Sequence, residues 1–157
     1  MRLIALIVAL IWLGLADPAS AQENRVVLRF TAATGNDDLR GGGDNLYAVV
    51  TIGGRETRHL LNQRSMRWAD HTSHVTNVLL PSNFRLADLS GIRLETSFRG
   101  GIDGDNWNMD SMLVQIAPRS GEGTPLTLVR HGFFRFTGDR RSLTLRLNPE
   151  LPRERVK

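Results

Sequence analysis

Apolar and polar residues alternate with a period of two in short runs along this chain, and each run is closed by glycine, asparagine, aspartate or proline. That is the pattern of half-buried strands, not of helices. The first run is Arg25 to Thr31 (RVVLRFT). Leu46 to Ile52 (LYAVVTI) and Arg55 to Leu61 (RETRHLL) flank Gly53-Gly54, a hairpin signal. Ser73 to Leu80 (SHVTNVLL) is stopped by Pro81, after which Phe84, Leu86 and Leu89 are expected to tuck a loop or short helical turn onto the core. In Gly91 to Phe98, Ile92, Leu94, Thr96 and Phe98 oppose Arg93, Glu95 and Ser97. Trp107 to Ile116 is the next strand. Leu126 to Phe136 and Ser142 to Leu147 are expected to pair as a final hairpin across Thr137-Gly138-Asp139-Arg140, with Leu143, Leu145 and Leu147 inward.

No helical period runs beyond about 10–12 residues, so the crossover helices of a parallel α/β fold are missing. The expected fold is all-β: an antiparallel sandwich of eight strands, jelly-roll-like in its order of short strands and turns.

The N-terminus changes the picture. Arg2, the apolar run Leu3 to Ala16, the break at Asp17-Pro18 and the small residues Ala19-Ser20-Ala21 read as a secretory signal peptide over residues 1–21. The run has 14 residues, short of the about 17–25 of a spanning helix. The expected domain is 22–148, followed by a polar tail at 149–157, with no transmembrane segment after cleavage. The expected address is periplasmic or secreted. With no cysteine in the chain, disulfides and cysteine acylation are excluded, so a core must hold the domain together.

Charge adds less. Beyond the signal peptide there are 19 basic and 15 acidic side chains, and every basic one but Lys157 is arginine. No basic run exceeds two residues, and basic residues do not interleave with aromatics in a recognisable binding motif, so nucleic acid is not the expected partner. An anionic lipid surface remains compatible with the basic excess.

Six of the aspartates collect in or beside two glycine-rich loops: Asp37, Asp38 and Asp44 in the first, and Asp103, Asp105 and Asp110 around the second. Carboxylates, asparagines such as Asn45 and bent glycine backbones are what a hard cation such as Ca²⁺ is held by. The same residues also make ordinary turns, and neither loop matches the EF-hand pattern. Trp68 and Trp107 are candidate ligand-stacking or membrane-dipping rings, with core packing as the alternative. His59, His71, His74 and His131 lack the spacing of a zinc motif, and no nucleophile motif is present.

The stretches Thr34-Gly35 and Gly43-Asp44-Asn45-Leu46-Tyr47-Ala48-Val49-Val50 resemble the opening of a PLAT/LH2 domain. Ile92-Arg93-Leu94 followed by Trp107-Asn108-Met109-Asp110-Ser111-Met112-Leu113-Val114 is similar to that family's second hallmark. The likeness covers about residues 26–116. It implies an eight-stranded antiparallel sandwich used for lipid or protein binding, often with Ca²⁺ in the loops, and it places Asp44, Asn45, Trp107 and Asp110 on matching positions. Two departures stand out. Family members are usually joined to a catalytic domain, which this sequence does not include. Gln63 to His71 (QRSMRWADH) lacks the family pattern.

The expected function is a non-enzymatic exported binding module with Ca²⁺-ordered loops, contacting lipid headgroups, an envelope glycan or a protein. The alternatives are a metal-free structural or interaction protein of the cell envelope and a small hydrolase using the loop carboxylates, notably Asp105 and Asp110.

Overall fold

A computed structural model describes residues 26–99 and 105–150. The predicted signal peptide, Asp103 and the end of the polar tail lie outside them. Among the described residues nine strands form in chain order: β1 (Val26–Thr34), β2 (Leu46–Ile52), β3 (Arg55–Leu60), β4 (Ser73–Leu79), β5 (Leu89–Thr96), β6 (Trp107–Pro118), β7 (Leu126–His131), β8 (Phe134–Phe136) and β9 (Ser142–Leu145). Short 3₁₀ turns sit at Gln63–Ser65 and Leu86–Asp88, the second where the sequence predicts one.

The strands make two antiparallel sheets packed face to face. One has the order β4-β1-β6-β7 with β8 also on β6, and the other the order β3-β2-β5-β9. Gly53 and Gly54 both have positive φ, 56° and 77°. This is the primed turn whose twist suits a two-residue hairpin, so β2 runs straight back into β3. Alternation selects what is buried. Leu28, Phe30 and Ala32 of β1 and Met112 and Val114 of β6 share one core with Leu46, Ala48 and Val50 of β2 and Ile92 and Leu94 of β5. Each such fully buried aliphatic or aromatic side chain contributes about 1.5–3 kcal/mol relative to exposure.

The expected final hairpin is not formed. The Leu126 to Phe136 run breaks at Gly132-Phe133, and both halves pair with β6: Met112 opposite His131, and Met109 opposite Phe134. β9 pairs instead with β5 in the other sheet, Leu143 opposite Leu94. The turn itself is where the sequence puts it. The Thr137 hydroxyl accepts the amides of Asp139 (3.3 Å) and Arg140 (3.1 Å), and the chain swings over the edge of the sandwich. Alternation specifies which face is buried but not which strand is the neighbour, so Leu145 is buried as expected while its partner differs. This split also makes nine strands of the expected eight.

Candidate functional site at the loop end

Both sheets deliver their loops to one end of the sandwich. The β1–β2 loop (35–45) is laced to the β3–β4 loop (61–72) by backbone bonds: Leu39 and Trp68 exchange two (3.1 and 2.8 Å), and the Gly42 amide donates to the Ser65 carbonyl (2.8 Å). The Gly35 amide bonds the Asn108 carbonyl at 2.7 Å, which ties the first loop to the start of β6. Two buried asparagines complete the lacing. Asn62 Oδ1 accepts the Leu46 amide (2.9 Å) while its Nδ2 donates to Asn45 Oδ1 (2.9 Å) and to the Met66 carbonyl (3.1 Å). Asn45 Nδ2 in turn donates to the Gly42 carbonyl at 2.9 Å. Asn45, predicted as a metal ligand, therefore spends its amide on the loops. Asn62 carries as much of the lacing, yet nothing in a lone asparagine after a strand distinguishes it from a turn residue.

The structure brings Asp37, Asp38, Asp44 and Asp105 to this end, and each of three is met by an arginine. Arg135 Nη2 lies 3.1 Å from Asp37 Oδ2, and Arg67 Nε pairs with Asp38. The Arg40 amide donates to Asp105 Oδ2 at 3.1 Å, and Arg40 Nε lies 3.2 Å from Oδ1. The Asp105 side chain is wholly buried. Its Oδ1 makes no hydrogen bond of good geometry, so the arginine serves it as a neighbouring charge only. Burial pushes the Asp105 carboxyl above the usual carboxylate range, the Arg40 amide and guanidinium oppose this, and Asp44 and Asp38 add to the rise. Burial likewise raises Asp37, with Arg135 opposing and Asp38 and Asp70 adding. Asp110 is exposed on β6 and leans over Gly35, where an added Cβ would lie 2.4 Å from its Oδ1.

As arranged, this donor set does not fit a hard cation. Ca²⁺ needs six to eight oxygens converging at about 2.3–2.6 Å. Among the described residues no three His, Asp or Glu side chains converge in that way, and guanidinium groups already neutralise three of the carboxylates. The four histidines are not gathered either. His59 bonds Thr57 Oγ1 at 2.9 Å, and His74 stacks on Trp68 at 4.6 Å.

Trp68 and Trp107 close the core and present no face to a ligand. Trp107 is fully buried, stacks on Phe136 (5.4 Å) and donates from Nε1 to Thr34 Oγ1 (3.3 Å). Trp68 is 3% exposed and meets Trp107 edge-on at 5.9 Å.

What this end does present is the tip of the β3–β4 loop, in the stretch that departs from the family pattern. Arg64 and Ser65 both sit in the left-handed region, at φ 57° and 53°. Two consecutive non-glycine residues there are strained and persist only when their surroundings hold them. Here the Gly42 amide and Asn62 hold them. The outcome is an outward Met66, 56% exposed, between the exposed Arg64 and Arg67. No residue pattern signals a left-handed pair of this kind.

No protein-family model matches this sequence, and comparison with curated proteins finds no significant match. Solved structures do resemble it. The alpha-toxin of an avian strain of Clostridium perfringens superposes with a TM-score of 0.60 at 14% identity, over 83% of this chain and 34% of the toxin. The alpha-toxin of Clostridium absonum gives 0.56 at 12% identity, over 80% and 32%. A LOX (lipoxygenase) variant in complex with arachidonate gives 0.52 at 12% identity, over 78% of this chain and 16% of that one. The chain thus spans about a third of the toxins and a sixth of the LOX, and the likeness lies in their PLAT/C2-like domains. At these identities the resemblance speaks for architecture alone: the fold is a PLAT-like antiparallel β-sandwich.

Proposed function

We propose that this chain is a non-enzymatic binding module that settles reversibly on an anionic lipid surface through the loop end, with the Met66 tip leading. The observation that carries the reading is the strained, laced tip that holds an apolar side chain outward between two arginines. Met66 offers its apolar area to a lipid interface, and Arg64, which pairs with no carboxylate among the described residues, adds about 1 kcal/mol near an anionic leaflet. Full burial of Met66 adds at most about 1.5–3 kcal/mol, so the contact is weak and salt-sensitive. Among the described residues no helix is long and apolar enough to cross a membrane. Ca²⁺ enters this reading as a competitor: it must displace Arg40, Arg67 and Arg135 to reach their carboxylates. The arginine pairs do the ordering, and the module works without metal. The predicted signal peptide places it in the periplasm or outside the cell, starting at Gln22. That address and a protein or glycan partner are open to the same protein preparation.

The test is vesicle co-sedimentation of the protein recovered from the extracytoplasmic fraction, its start checked by intact mass. Vesicles containing phosphatidylglycerol are expected to retain it and pure phosphatidylcholine vesicles to leave it in solution, equally in EDTA and in millimolar Ca²⁺. Met66→Asp is expected to weaken retention at least tenfold. Arg64→Asn removes one charge with a residue that tolerates the left-handed backbone, and about fivefold is expected, the equivalent of about 1 kcal/mol. Retention that appears only with Ca²⁺ would return the loop aspartates to the role of cation ligands. Equal retention on both vesicle types would remove the lipid reading.

A further inference from the structure

On the side of the sandwich where β3 and β4 are the sheet edges, the two strands do not close on each other. Between them lies a groove of about 570 Å³. That volume is within the range of small-molecule sites. It lies toward the β2–β3 turn and the end of β4, away from the Asp/Gly loops. Its apolar lining comes from Val50 and Ile52 of β2 and from Val78 and Leu80 at the end of β4. The lining from β3, beside β2 in the same sheet, is polar, and it is polar where the fold asks for apolar residues. Register sets Arg55, Thr57 and His59 opposite Ile52, Val50 and Ala48. Directly opposed residues share a face, so this trio occupies the inner face of β3, the face that fills a sandwich core. A local rule broken in this way is expected at functional positions. Among the described residues Arg55 makes no salt bridge.

We infer that this groove binds a single-chain fatty acid, its acyl chain laid along Val50, Ile52, Val78 and Leu80 and its carboxylate on Arg55. The geometry selects the occupant. From Arg55 to His59 the wall runs about 13 Å at 3.3 Å per residue, a length suited to one acyl chain, and the volume leaves no room for two chains and a large head. One guanidinium at the mouth neutralises one negative charge, and it pairs with a carboxylate in bidentate fashion. A phosphate monoester brings about 1.5 to 2 negative charges, for which the groove supplies no second cation, since burial lowers the His59 pKa and its ring is engaged with Thr57.

The experiment is calorimetric titration of dodecanoate, below its micelle concentration, into the delipidated full chain, with dodecyltrimethylammonium as the opposite-charge probe. One saturable site for dodecanoate is expected, with the cationic probe at least tenfold weaker. Arg55→Gln is expected to weaken dodecanoate about tenfold. Thr57→Trp, which fills the groove from an exposed edge-strand position, is expected to abolish the heat. Both variants should keep the wild-type melting temperature and its retention on vesicles, which separates this site from the loop end. Equal affinity for both probes, an Arg55→Gln variant that binds dodecanoate unchanged, or no saturable heat overturns the assignment. So does the absence of heat together with protection of the Arg55–Leu60 amides by an added extended peptide, which would make the edge a strand-pairing site.

Discussion

Trp107→Ala is expected to lower the melting temperature by roughly 10–20 °C. Deleting a buried tryptophan costs about 3–5 kcal/mol, and in a domain of this size 1 kcal/mol corresponds to about 3–4 °C. The cost falls at the high end here because Trp107 joins three parts of the fold. It stacks on Phe136 of β8, meets Trp68 of the β3–β4 loop, and bonds Thr34 of β1. With no disulfide to compensate, the loss is carried by the core alone. Trp107→Phe keeps most of the packing and forfeits the indole hydrogen bond, about 1 kcal/mol. Thermal unfolding followed by near-ultraviolet circular dichroism reads both. A drop of less than about 5 °C for the alanine variant would mean that Trp107 is not at the centre of the core.

Gly41→Ala is expected to unlatch the loop end while leaving the sandwich folded. Gly41 has φ 77°, and a Cβ there would lie 2.3 Å from the Ser65 carbonyl oxygen and 2.7 Å from the Met66 carbonyl carbon, all backbone atoms. No side chain can swing aside, so the loops must part. The neighbouring Gly42, with φ 63° and open space around its Cβ position, is the control, because Gly42→Ala incurs only the left-handed penalty of about 1–2 kcal/mol. Amide exchange at Gly42 and Trp68, whose bonds tie the two loops, reads the difference. About 100-fold faster exchange is expected in Gly41→Ala and about tenfold in Gly42→Ala, with core amides such as Phe30 unchanged. Equal effects in the two variants would show that the loops do not depend on this close approach.

Much of the sandwich is legible before any coordinates. β2 matches its predicted span, and β3, β4 and β5 fall within two residues of theirs, because glycine or proline marks an end of each run; β3 itself alternates only weakly and is fixed by the Gly53-Gly54 turn. The partner of β9 is not legible. Leu143, Leu145 and Leu147 suit either sheet, and the choice is made by the direction in which the Thr137 turn releases the chain. The gathering of Asp37, Asp38, Asp44 and Asp105 at one end follows from the strand order. Their neutralisation is not legible in the sequence. The pairs Asp37–Arg135, Asp38–Arg67 and Asp105–Arg40 join residues far apart in sequence, and arginines this numerous carry no label for the carboxylate they meet. The sequence leaves Trp68 and Trp107 open between ligand face and core, and packing around Phe136 and His74 takes both inside. The exposure of Met66 rests on two left-handed residues that composition does not reveal.

The central claim, that the Met66 tip enters a lipid interface, is tested most directly by Met66→Cys carrying an environment-sensitive nitrobenzoxadiazole label. The native chain has no cysteine to compete for the label. On phosphatidylglycerol vesicles the label at this position is expected to shift its emission to the blue and gain intensity, reversibly with salt. The same label at Glu122→Cys, exposed in the β6–β7 turn at the other end of the sandwich, is expected to stay unchanged. A shift at Glu122 with none at Met66, or no shift at either while the protein sediments with vesicles, would contradict the placement of the lipid contact at the loop end.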